Sequence, residues 1–143
     1  MYRKNKKLVD AELLLKAVKT LSQRGPDNQS VQIYNHVGLG HARLSIIDTS
    51  SAANQPFTDH SGRYTLVFNG EIYNFKELRL DLIEIGYEFN TGTDTEVLLA
   101  MYIEYGQEFV EKLDGMFAIA IWDFKEQKLK LYRDRLGIKP LYF

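Results

Sequence analysis

The run YTLVFNGEIYNF, Tyr64 to Phe75, sets an apolar, β-branched and aromatic stretch directly before Asn69-Gly70. Tyr64 to Phe68 reads as a strand, Asn-Gly is the strongest short-range hairpin signal, and Glu71 to Tyr73 reads as the returning strand. Upstream, Asp48 to Gly62 is polar and reads as a loop. Val31 to Ile47 is rich in β-branched and aromatic residues, with Gly38 and Gly40 suggesting a turn or bulge between two short strands. Asp10 to Gln23 carries Leu14, Ala17, Val18 and Leu21 at helical spacing, with Asp10 as N-cap and Gly25-Pro26 as a stop.

Downstream, Phe75 to Ile85 and Asp94 to Tyr105 show helical spacing, the second preceded by Thr91 and Thr93 as candidate caps, with Glu96 three residues after Thr93 to complete a capping box. Met116 to Phe124 and Lys128 to Arg133 read as a second hairpin around Lys125-Glu126-Gln127. Strands and helices in blocks predict an α+β fold with largely antiparallel sheets.

Composition narrows the class. The chain has 143 residues, 45% of them hydrophobic, enough for one domain with a sizeable core. Lys plus Arg number 18 against 19 Asp plus Glu, so the net charge of −1 gives no general attraction to nucleic acid or to an anionic membrane. No apolar stretch approaches the roughly 18 residues of a membrane span, and the basic start MYRKNKK runs into an amphipathic segment, not a signal-peptide core. The expected location is the cytoplasm. The chain has no cysteine, which excludes disulfides and thiolate metal sites. His36, His41 and His60 lack metal-ligand spacing, and Ser45 in ARLSII lacks the G-x-S-x-G elbow of a serine nucleophile. No glycine-rich phosphate cradle occurs.

The runs RGPD (24–27), HARLSIID (41–48), NQPF (54–57), NGEIYN (69–74), TGTDTE (91–96), LDGMFAIAIWD (113–123) and RDRLGIKPLYF (133–143) occur in one order. In that order they resemble the N-terminal glutaminase domain of glutamine-hydrolysing asparagine synthetase, a class II glutamine amidotransferase. The resemblance implies an N-terminal-nucleophile hydrolase fold, a four-layer αββα sandwich with antiparallel sheets. It also implies a chemistry in which an N-terminal cysteine thiolate attacks the side-chain amide of glutamine, forms a thioester and releases ammonia to a second domain. Gln23 stands where the family commonly has His before RGPD, so hydrogen bonding near the pocket is expected to differ.

A free amino acid carries an α-carboxylate and an α-ammonium, so its pocket needs a cation and an anion at fixed separation. By family position Arg43 takes the carboxylate, through two parallel N–H bonds. Asp94 takes the ammonium, with Gly70 and Glu71 nearby, and Leu44, Ser45, Ile46 and Ile47 complete the pocket. Asn69 and Gly70 are the expected oxyanion hole, a tight turn aiming a side-chain amide and a backbone N–H at one spot, with Gly70 supplying a positive φ. By residue type alone, Arg43 would be a surface strand residue, Asp94 a helix N-terminal charge and Asn69-Gly70 an ordinary hairpin turn. Motif context favours the site.

The resemblance places the nucleophile strand before residue 1 and further domain residues after 143. Tyr2 should keep Met1 in place, and Thr20 and Ser22, within the first helix, have no α-amine beside them. The chain alone is therefore expected to bind L-glutamine without hydrolysing it, and to have a marginal fold or edge-to-edge association, including a homodimer, where the first strand is lacking. No cofactor is expected in these residues; ATP and Mg2+ belong to the synthetase domain of a full-length protein, which amidates aspartate. The rival reading is a non-catalytic relative binding an amino acid or a protein. Sugar-phosphate or purine-precursor acceptors are the alternative amidotransferase chemistry.

Overall fold

The computed structural model describes residues 8–44 and 51–142. The chain divides into two units, Met1–Pro56 and Phe57–Phe143.

In the first unit, α1 (Ala11–Lys19) packs on an antiparallel pair, β1 (Asn28–Tyr34) and β2 (Val37–Arg43). Asp10 caps α1 as its sequence position predicts: its carboxylate accepts from Glu12 N at 2.9 Å and Leu13 N at 3.1 Å, two of the amides that a helix start leaves without partners. The helix stops at Lys19, short of the predicted Gln23, so Thr20 and Ser22 fall in the turns that follow. The turn between the strands is Asn35-His36, with Asn35 at φ 54°, and not Gly38 or Gly40. Those glycines lie inside β2, under the helix. A Cβ on Gly38 would stand 2.6 Å from Leu14 Cδ2 and 2.9 Å from Val9 Cγ1, so the missing side chain is what lets buried Leu14 seat on the strand.

The second unit is a sheet of order β3-β4-β5-β6, antiparallel throughout: β3 (Phe57–Thr58), β4 (Tyr64–Ile72), β5 (Gly115–Asp123) and β6 (Lys128–Arg133). Two helices, α2 (Phe75–Glu84) and α3 (Asp94–Tyr105), cover one face. Leu66, Phe68 and Ile72 of β4 and Phe117, Ile119 and Ile121 of β5 share a core with Leu78 and Leu82 of α2, Val97 to Tyr102 of α3, and Phe109. Burying each such side chain stabilises the unit by about 1.5–3 kcal/mol. All residues from Asp94 to Tyr102 are buried, so α3 has no solvent stripe in its first two turns.

Two expectations for this unit change. The polar stretch from Asp48 to Gly62 is not all loop, because Phe57 and Thr58 pair with Leu66 and Thr65 as β3. More consequentially, Asn69-Gly70 is no hairpin turn. The strand β4 runs through it, with Asn69 opposite Ala118 and Gly70 opposite Phe117. Its inward residues, Leu66, Phe68 and Ile72, keep a period of two across the pair, and that continuous pattern outweighs the local turn signal. Gly70 is not among the glycines with positive φ. It is required for close approach: a Cβ there would overlap the Met116 carbonyl oxygen and lie 2.8 Å from Phe117 Cα.

The second hairpin falls where predicted, with Gln127 at φ 53° in its turn. Asp123, at the end of β5, holds that turn by accepting from Lys125 N at 2.8 Å and Glu126 N at 3.0 Å, and it binds Arg63 at 3.0 Å. After β6 the chain turns at Gly137, φ 66°. Asp134 laces that turn to the sheet, accepting from Ile138 N at 2.8 Å, Lys139 N at 3.0 Å and Phe117 N at 3.3 Å.

Because the Gly70 position has no room beside Met116, Gly70→Ala should force the β4–β5 ladder apart. A loss of about 1–3 kcal/mol in urea unfolding is expected, and an unchanged midpoint would show that the contact yields freely.

Candidate functional site

Arg43 closes β2, opposite Asn28, and is only 9% exposed. Its Nη1 donates to Asn54 Oδ1 at 2.7 Å. The segment carrying Asn54 is tied to β1, since the Ser30 hydroxyl donates to the Gln55 carbonyl and Gln32 Nε2 donates to the Pro56 carbonyl at 3.2 Å. A guanidinium has five N–H donors in a planar fork, and the bond to Asn54 orients that fork at the end of β2. Asn54 went unrecognised as a partner in the sequence, where NQPF served only as a motif. Leu44 is exposed just beyond the strand, while Ser45, Ile46 and Ile47 lie outside the described residues.

In the second unit, three contacts fix how β4 directs its backbone groups. Tyr64 N donates to Asp59 Oδ1 at 2.6 Å on the β3 side, and Ile72 N donates to Asp94 Oδ2 at 3.2 Å, whereas Tyr73 N donates to the Asp114 carbonyl at 2.7 Å on the β5 side. Amides alternate in direction along an antiparallel strand, so the even-numbered residues of β4 turn their N–H groups away from β5. The pairing with β3 ends at Leu66. The Gly70 N–H therefore points along the edge of β4 beyond the end of β3, on the same side as the Ile72 N–H that meets Asp94. The backbone N–H that the sequence placed in a turn thus lies on a strand edge. The side chains of Asn69 and Glu71 are exposed.

Asp94 opens α3 and is 7% exposed. Burial pushes its carboxyl above the ordinary carboxylate value, and the nearby Glu71 charge adds to that push; hydrogen bonds from the Ile72 and Thr95 amides oppose it and are outweighed. The structure thus brings Gly70, Glu71 and Asp94 together through the Ile72 bond.

The capping box is half realised. Thr93 Oγ1 accepts from Glu96 N at 3.3 Å, but Glu96 does not return a bond to Thr93 N. Its carboxylate reaches farther back, to Asn90 N at 3.0 Å and Thr91 N at 2.7 Å. The T-x-x-E spacing signalled the cap and gave no sign of this longer reach. Among the described residues no group of three or more His, Cys, Asp or Glu side chains is gathered as a metal ion would need, and no helix is long and apolar enough to cross a membrane.

Antiparallel sheets packed with helices in an α+β arrangement are the fold of N-terminal-nucleophile glutamine amidotransferases. The chain matches the family model described as the glutamine amidotransferase domain over residues 2–143, and it belongs to that family. It is 47% identical over 135 residues to asparagine synthetase [glutamine-hydrolyzing] 1 of Bacillus subtilis, covering 94% of this chain and 21% of that one. It is 41% identical over 128 residues to asparagine synthetase B [glutamine-hydrolyzing] of Escherichia coli, covering 90% and 23%. Among solved structures, glutamine phosphoribosylpyrophosphate amidotransferase from B. subtilis, complexed with ADP and GMP, superposes with a TM-score of 0.64 at 25% identity over 76% of this chain and 25% of that one. The chain thus spans about a fifth of the length of the curated relatives it matches.

Since the Asp94 carboxyl is harder to ionise in the folded chain than in the unfolded one, its contribution to stability is fully present below the ordinary value and is lost as pH rises through the raised folded value. Asp94→Asn keeps an acceptor for Ile72 N and removes the buried charge. At about pH 7 its urea midpoint should equal or exceed the parent's, with the advantage gone near pH 4; a clear loss at neutral pH would mean that the ionised carboxylate holds the fold.

Proposed function

We propose that these residues form the glutamine-binding part of the glutaminase domain of an asparagine synthetase-like enzyme. The observation that carries the reading is the buried Asp94 carboxylate, held on the Ile72 amide one residue from Glu71 and two from Gly70. In this reading Asp94 takes the α-ammonium of L-glutamine and Arg43 the α-carboxylate, with Leu44, Ser45, Ile46, Ile47 and Glu71 as further glutamine-binding residues. An incoming ammonium replaces lost hydration with an opposite charge, so binding favours the ionised form of Asp94 and draws its raised value back down.

Gly70 N–H and the Asn69 side-chain amide receive the oxygen of the tetrahedral intermediate. Such donors stabilise developing charge, and removing one typically costs about 10²–10³ in rate. The nucleophile is a cysteine thiolate outside these residues. It attacks the side-chain amide carbon, and the C–N bond breaks to give a thioester and ammonia; water then cleaves the thioester to glutamate and the free thiol. ATP and Mg2+ act in a synthetase domain, likewise outside these residues, where the ammonia amidates aspartate. The reading places the enzyme in the cytoplasm. The absence of cysteine from the chain favours a second reading, a binding module without catalysis, and ammonia release from the whole gene product separates the two.

Calorimetry with glutamine tests the pocket. Arg43→Ala and Asp94→Asn should each weaken binding about tenfold or more, the scale of a lost charged hydrogen bond, and parent affinity should rise with pH through the raised Asp94 value. Equal heats from parent and Arg43→Ala, or none from either, would remove the assignment. The 143-residue chain should release no ammonia.

A further inference from the structure

Glu96 is a buried carboxylate, 7% exposed, to which the proposed chemistry gives no task. Both its oxygens are taken by the loop that precedes α3. Oε1 accepts from Asn90 N at 3.0 Å; Oε2 accepts from Thr91 N and from Thr91 Oγ1, each at 2.7 Å. Thr91 Oγ1 also lies 2.8 Å from Thr93 Oγ1 and accepts from Thr93 N at 3.3 Å. From the other side, Arg79 of α2 donates to the Thr91 carbonyl at 2.7 Å, its guanidinium 4.5 Å from the centre of the Phe89 ring. Thr91 is thus gripped at its amide, its carbonyl and its hydroxyl.

An ordinary helix start requires only the Thr93 cap, and Thr93 already provides it. The further reach of Glu96 fixes residues 90–93, and the next residue is Asp94. We propose that Glu96 is a positioning residue for Asp94: by binding the Asn90 and Thr91 amides with both carboxylate oxygens, it sets how the chain enters α3 and so where the Asp94 carboxylate stands against the Ile72 amide and an incoming ammonium. This rests on the reading that Asp94 receives the substrate ammonium.

Glu96→Gln is the diagnostic substitution. Two backbone donors converge on two acceptor oxygens, and a carboxamide supplies one oxygen while turning an NH2 against the second donor. In the ligand-free 143-residue chain, the Asp94 γ-carboxyl carbon is titrated by NMR. In Glu96→Gln its midpoint should move from the raised value toward the ordinary one, as the loop loosens and water reaches Asp94. Glu71 on β4 is the charged group acting on Asp94 from the strand, so the comparison is repeated in Glu71→Gln, where the same displacement should persist.

In the glutamine assay, Glu96→Gln should weaken binding about tenfold in the parent and add little in an Asp94→Asn background, the non-additivity expected of one residue acting through another. An unmoved Asp94 midpoint, or losses that simply add, overturns the proposal. If the parent binds no glutamine, the assignment of the pocket fails while the titration still decides the positioning role. Should Glu96→Gln not fold, Thr91→Val, which removes the hydroxyl with its bonds to Glu96 and Thr93 and keeps both backbone bonds to Glu96, must give a smaller displacement of the same sign; no displacement overturns the proposal.

Discussion

The pairing of β4 with β5 is the constraint on which the second unit depends. Nine residues of β4, from Tyr64 to Ile72, run in register with Asp123 to Gly115. A slip of one position would turn Leu66, Phe68 and Ile72 away from α2 and α3 and bring polar neighbours into the core. The same register sends the Ile72 amide toward the start of α3, so the ladder that builds the core also aims the strand edge at Asp94. Architecture and chemistry share one set of backbone groups.

That sharing sets opposing forces on Asp94. A helix N-terminus and two backbone amides favour an ionised carboxylate, while a surrounding of buried side chains and the Glu71 charge disfavour it. Desolvation prevails, and the carboxyl titrates high. A site for a cation gains from this tension, because a carboxylate already stripped of water pays less of the cost of meeting an ammonium.

Much of the fold was legible in the residues. The bounds of α3, the Asp10 and Thr93 caps and the β5–β6 hairpin followed from short-range signals that the tertiary structure keeps. Asn69-Gly70 was misread because a turn dipeptide and a close-approach glycine look alike in sequence. Only the neighbouring strand, with the Met116 carbonyl at its side, tells them apart. Gly38 and Gly40 misled for the same reason, since the helix side chains they admit, Leu14 and Val18, lie more than twenty residues upstream. For the proposed site, family motifs pointed to Arg43 and Asp94, whereas Asn54 and Glu96 bond to partners that no local pattern pairs with them.

The bare backbone at position 70 also bears on how such a pocket can diversify. With the Met116 carbonyl pressed against it, this point tolerates no added bulk, so the course of the strand here is set by the ladder itself. Variation is left to the flanking side chains of Asn69 and Glu71, which leave the sheet on its other face. If the proposed glutamine site is right, a lineage retunes ligand preference by altering these flanks, while the backbone between them stays the same.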